Sequence, residues 1–212
     1  MHWELVGAIC WLSLLLWQQP ASCWRRLTSS PFTSKAFAAS LALLAVLWQF
    51  DIELVAGLSL HFLLVTSAAL ILGFRLACWA TSGALLLLAF VGLMDWPSLA
   101  QEWLFQVLPA LVVSYGLLLV SRKYLPRHLF VFIFVNSFLA AALAIALSIY
   151  LQAGWFGWTG QFSEQQIDHY LLRMLPLMLF PEALLNGMLM TLLVVYKPDY
   201  VYTFSDWDYL RN

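Results

Sequence analysis

The sequence predicts an all-α protein: a polytopic membrane bundle of about seven transmembrane helices, N-terminus outside and C-terminus cytoplasmic. Three observations carry this. Of 212 residues, 63% are hydrophobic and only 10% charged, where soluble domains carry about 25% charged residues. The apolar residues gather into runs long enough to cross about 30 Å of hydrocarbon as helices. Lys and Arg fall almost entirely in alternate gaps between those runs.

The runs lie at roughly 3–24, 36–50, 54–74, 76–94, 103–121, 128–151 and 171–196. The first differs from a secretory leader, which needs a basic start. Residues 1–10 contain Glu4 and no Lys or Arg, and Arg25-Arg26 follows the apolar stretch, so the run reads as a retained helix. Only Asp51-Ile52-Glu53 separates the second run from the third, and only Gly73-Phe74-Arg75 the third from the fourth. One segment is therefore expected to be re-entrant or partly helical, with its irregular backbone buried in protein. The sixth run carries Ala140, Ala142, Ala144 and Ala146, two small-xxx-small pairs that allow close helix approach, within the bundle or to a partner subunit. The seventh contains Pro176 and Pro181 and is expected to kink. Residues 1–196 form one transmembrane domain and 197–212 a short cytoplasmic tail.

Orientation follows from the basic residues. With the N-terminus outside, Arg25, Arg26, Lys35, Arg75, Arg122, Lys123, Arg127, Lys197 and Arg211 fall inside, and only Arg173 outside. Trp3, Trp17, Trp24, Trp96, Trp103, Trp155 and Trp158 lie near the expected helix ends, where aromatic belts form.

Several function classes drop out. A net charge of -1 without a basic, aromatic-interleaved patch gives no nucleic-acid footprint. Cys10, Cys23 and Cys78 are far apart, with no CxxC pairing. There is no nucleotide-binding loop, so driven transport would draw on another chain or an ion gradient. No HExxH, paired-carboxylate, Ser–His or Cys–His pattern appears, so no catalytic residue is assigned. An intramembrane enzyme built on Glu182, His61 and Asn186 remains one alternative, and a structural or assembly membrane protein another.

Polar groups at membrane depth are functional candidates by default. They are His61 in the third run, Asn136 in the sixth, and Glu182 with Asn186 one turn later in the seventh. Asn186 is placed to supply donors to carbonyls freed by Pro181, and Glu182, Asn186 and Asn136 are candidates for supporting or gating a substrate path. The topology brings His2 and His61 to the same outer end. There the amine of Met1 and the amide and imidazole nitrogens of His2 can close five- and six-membered chelate rings, and His61 can complete a square of nitrogens. Such tetragonal sites suit Ni(II) or Cu(II), while Zn(II) prefers a tetrahedron.

Met1-His2, Gly57-Leu58-Ser59-Leu60-His61 and Gly73 resemble the CbiM/NikM group, the substrate-capturing membrane components of energy-coupling-factor cobalt and nickel transporters. Leu125 to Phe132, Phe134-Val135-Asn136 and Phe180 to Gly187 are similar to a divergent bacterial branch of that group, described as energy-coupling-factor permease-like membrane proteins. The resemblance spans most of residues 1–200. It implies metal ligation by Met1, His2 and His61, with Ni(II) or Co(II) as transported substrate and Cu(II) or Zn(II) ranked behind. It also implies a bundle of about seven helices in the bacterial inner membrane, surrounded by lipid and energised by a transmembrane coupling subunit and cytoplasmic ATPases.

Overall fold

A computed structural model of the chain describes residues 2–50, 52–55, 58–60, 62–205, 207 and 209, with backbone only for His2, Trp3, 52–55 and 58–60. Among them the protein is helical apart from one short ribbon. Helix α1 covers His2–Trp17. Gln19 then turns into the left-handed region at φ 57° and Pro20 opens α2, Pro20–Ser29. A proline lacks the N–H that would continue a helix and pushes the preceding residue out of the α region. The expected run 3–24 is therefore two helices. Pro31 starts α3, Pro31–Leu47, with the Ser30 hydroxyl accepting from the Phe32 N–H. Two helix starts in close succession leave α2 and α3 bent by 113°.

The third run is the partly helical segment that the short links led one to expect, and it does not supply a span. Instead of a helix over 54–74, Ile52–Val55 (β1) pairs antiparallel with Leu58–Leu60 (β2). Only Val65–Leu72 is helical, as α4. Eight residues span about 12 Å, well short of the bilayer core. The run is apolar because protein surrounds it: every residue of α4 is buried. Gly73 alone separates it from α5, Phe74–Val91.

Three long helices complete the bundle: α6 over Ser98–Tyr124, α7 over Leu129–Thr159 and α8 over Glu164–Tyr196. Each holds a π-helical stretch near its start: Trp103–Val107, Phe132–Leu139 and Ile167–Leu172. Helix α8 turns at Arg173-Met174 and is helical through Pro181. By length and composition α5 to α8 can each cross a membrane, and the bent α2–α3 pair can supply a fifth span. Among the described residues four or five spans thus stand beside the expected seven, because α1 is too short and the third run is broken. The protein is a multi-pass membrane protein.

The carbonyl end of α4 would leave unpaired acceptors. The chain after α8 supplies their donors. The Tyr202 N–H reaches the Ile71 carbonyl at 2.9 Å, and the Thr203 hydroxyl reaches that of Leu70 at 2.7 Å. Arg26 Nη2 donates to the Leu72 carbonyl at 2.7 Å, and Arg122 donates to the carbonyl of Thr203. Phe204 and Tyr209 then pack on Phe132. Gly73 completes this corner at φ 74° and ψ 161°, a region almost restricted to glycine. A Cβ there would lie 2.9 Å from the Tyr202 ring. Gly73→Ala is expected to cost about 1–3 kcal/mol, read as a lower Tm in detergent. An unchanged Tm would show that the corner can relax.

Trp17, Trp24, Trp96 and Trp158 are largely exposed, as belt residues would be. Trp103 is not: it is fully buried and stacks on Trp11 at 6.1 Å. Position near a helix end did not distinguish a core tryptophan from an interfacial one.

Candidate functional site

The amino end of α4 is the most elaborated polar centre among the described residues. It begins with a strained turn: Leu64 lies in the left-handed region at φ 49°, a conformation costing a branched residue about 1–2 kcal/mol. That turn presents two successive N–H groups to one side, the kind of concavity that receives an anion. The anion is the side chain of Glu182 from α8. Its Oε2 accepts from the Leu63 N–H at 2.9 Å and its Oε1 from the Leu64 N–H at 2.7 Å. One turn on, Asn186 Oδ1 accepts from both the backbone N–H and the hydroxyl of Ser67, each at 2.8 Å.

Two residues of α8 thereby cap a helix whose own sequence, starting Leu64-Val65-Thr66, provides no side-chain cap. The spacing explains the pairing, since positions four apart share one helix face. Asn186 Nδ2 also donates to Glu182 Oε1 at 2.8 Å, fixing the carboxylate, and to the Glu182 carbonyl. Asn186 had been expected to serve the carbonyls freed by Pro181. Its donors go instead to Glu182, within the clamp. Both side chains are buried, 1% and 0% exposed, and a negative group at a helix amino end is favoured by the helix dipole.

Other contacts lock the same turn. Trp48 Nε1 donates to the Leu63 carbonyl at 3.1 Å, so that peptide is held from α3 as well as α8. The Thr66 and Ser114 hydroxyls lie 2.7 Å apart, tying α4 to α6.

Met1 and His61 lie outside the described residues, as does the side chain of His2. The structure does place their chain neighbours. In the chain His61 comes between β2 and the turn at Phe62-Leu63-Leu64, two residues before the first clamped amide, that of Leu63. Glu182 and Asn186 come together as one unit. Asn136 belongs elsewhere: it sits buried in the π-helical part of α7 and accepts from Ser121 at 2.6 Å. Ala140 and Ala144 are buried inside the bundle, and Ala142 and Ala146 are half-buried. No group of three or more potential metal-ligating side chains occurs among the described residues.

A cleft of about 1000 Å³ opens at one end of the bundle, between the start of α1, the α5–α6 link and the end of α7. Glu4, Gly7, Cys10, Asp95, Trp155 and Gln161 line it. Glu4 and Asp95 give its rim a negative character.

Sequence reasoning found Glu182 and Asn186 from their polarity in an apolar run, but it missed their partners. Those partners are mainly backbone N–H groups, which every residue but proline carries, so nothing in the sequence marks them. Trp48 was missed for the same reason. The sequence model of one family, CbiM, described as the cobalt uptake substrate-specific transmembrane region, matches residues 2–200. No curated protein and no solved structure matches the chain.

Proposed function

The chain belongs to the CbiM family, which makes it a transmembrane component of cobalt uptake; from that premise we propose that it captures the metal at an outward-facing site built from the Met1 amine, the amide and imidazole of His2, and His61. The observation that carries this reading is the clamp. Leu63 and Leu64, two and three residues beyond His61, are held by Glu182 and Trp48, so the turn that follows the histidine is fixed. Metal sites gain affinity when supporting residues orient the ligands. Glu182 and Asn186 are positioning residues in this scheme.

The basic residues support the orientation. Arg26, Arg75 and Arg122 all gather around Tyr202-Thr203 at the carbonyl end of α4, and the positive-inside rule puts that end in the cytoplasm. The acidic cleft then opens outward and offers a divalent cation an attractive approach. Cobalt is the substrate the family description names, and the all-nitrogen donor set suits nickel equally. Release inward would require a transmembrane coupling subunit and cytoplasmic ATPases in a bacterial inner membrane. The enzyme alternative is not favoured, since both carboxylate oxygens of Glu182 already accept bonds from N–H donors.

The test is Co(II) and Ni(II) binding to purified protein, measured for the native chain, a chain extended by one residue before Met1, His2→Ala and His61→Ala. Each change is expected to weaken binding at least about 100-fold, the upper end of what loss of a supporting residue costs. Unchanged stoichiometric binding in all three variants would rule out this site.

A further inference from the structure

The Glu182–Asn186 clamp lies at the amino end of α4 and the basic cluster at its carbonyl end, which contains a pocket of its own. Helix α2 turns away sharply from α3 and is polar along part of its length. Its two arginines point differently: Arg25 is exposed, while Arg26 is half-buried beside Cys23. Trp24 beside them is 66% exposed. A short helix of this kind, with an exposed tryptophan next to arginines, suits the plane of a membrane surface.

Beneath it lies a cavity of about 400 Å³, lined by Ser22, Arg26, Arg75, Tyr115 and Tyr202 among others. The Arg26 guanidinium is aligned on two sides. One nitrogen donates to the Leu72 carbonyl, and its face stacks on the Tyr202 ring with Cζ 3.5 Å from the centroid. Arg75 comes from the first turn of α5 and is exposed. Among the described residues neither arginine pairs with a carboxylate; the ion pair there is Arg173–Asp168, on another segment. Two arginines thus line one cavity without a carboxylate partner among the described residues, and a planar fork of N–H donors is the group best matched to phosphate oxygens.

We propose that this pocket binds the phosphate of an anionic phospholipid headgroup, held between Arg26 and Arg75 under helix α2. Basic pockets between membrane helices at the cytoplasmic surface take such headgroups, and the exposed Trp24 follows the cavity-lining Cys23 in helix α2. Inorganic phosphate offers the same oxygens without the acyl chains, so the experiment must separate the two sources. Because Arg26 also holds the last carbonyl of α4, an occupied pocket would brace the end of that helix.

The full chain is placed in nanodiscs of phosphatidylcholine doped with phosphatidylglycerol, and co-purifying lipid is counted by native mass spectrometry. Arg75→Glu is the informative change, because Arg75 is exposed and no side-chain hydrogen bond or ion pair ties it to another described residue. Arg25→Glu, an equal charge reversal outside the cavity, is the control. Arg75→Glu is expected to lower retained phosphatidylglycerol about fivefold or more, as loss of one basic contact implies, with Arg25→Glu much closer to the native chain. Equal losses in the two variants would overturn the site. Displacement of the lipid by excess inorganic phosphate would overturn the lipid assignment. Size-exclusion profiles confirm folding, and Arg75→Gln replaces Arg75→Glu if the charge reversal aggregates.

Discussion

Glu182→Leu is expected to destabilise the protein by about 4 kcal/mol and to abolish metal binding. The carboxylate accepts from the N–H groups of Leu63 and Leu64 and from the amide of Asn186. Leucine leaves the Leu63 and Leu64 N–H groups buried without an acceptor and takes one of the two acceptors of the Asn186 amide, whose bond to the carbonyl of residue 182 remains; each lost bond costs about 1–3 kcal/mol. Relaxation around the site recovers part of that sum. Leu64 would also keep its left-handed turn with nothing to enforce it. Glu182→Gln is milder and diagnostic. One oxygen can still serve Leu64 and Asn186, but the new NH2 group would face the Leu63 N–H, donor against donor. Unfolding in detergent and metal affinity are read together. A Leu variant within about 1 kcal/mol of the native stability would mean the clamp is incidental, while a stable variant that still binds metal would separate it from the site.

The second large effect is at Gly187, one residue past the clamp. A Cβ there would lie 2.0 and 2.4 Å from two ring carbons of Phe138 on α7. On helix propensity alone, Gly→Ala inside a helix should stabilise by about 1 kcal/mol. The contact reverses the sign, because the added methyl cannot coexist with the ring, and overpacking of this kind costs about 3 kcal/mol or more. Gly187→Ala should therefore lower Tm, and Phe138→Ala in the same chain should restore much of the loss. Any gain of stability in Gly187→Ala alone would show that α7 and α8 can separate there freely. The close approach has a purpose in the fold: it holds α8 where Glu182 and Asn186 reach across to α4.

Hydropathy located the long helices α5 to α8, missing the end of α7 by eight residues and the start of α8 by seven, since lipid-facing side chains demand apolar character over the length of a span. It failed at 54–74 because α4 is apolar for a different reason, its burial in protein, and a scale of residue types does not distinguish the two. Pro20 and Pro31 were visible in the sequence, yet the angle they produce depends on packing. The clamp was half legible. Glu182 and Asn186 stand out as polar residues one turn apart in an apolar run, but their partners Leu63, Leu64 and Ser67 lie more than a hundred residues earlier and answer mostly through the backbone. Nor did anything in Tyr202-Thr203 announce that those residues would finish a helix made far upstream.

That long separation has a consequence for biosynthesis. Thr203 follows Leu70 by 133 positions and Glu182 follows Leu64 by 118, so both ends of α4 await residues made much later. At about 5–20 residues per second the ribosome needs on the order of ten seconds to supply them. Throughout that interval the segment is too short to enter the bilayer as an independent span and has free amides at one end and free carbonyls at the other. It must wait in a sheltered, hydrated place while α6, α7 and α8 are threaded around it. The middle of this protein is thus the part that matures last.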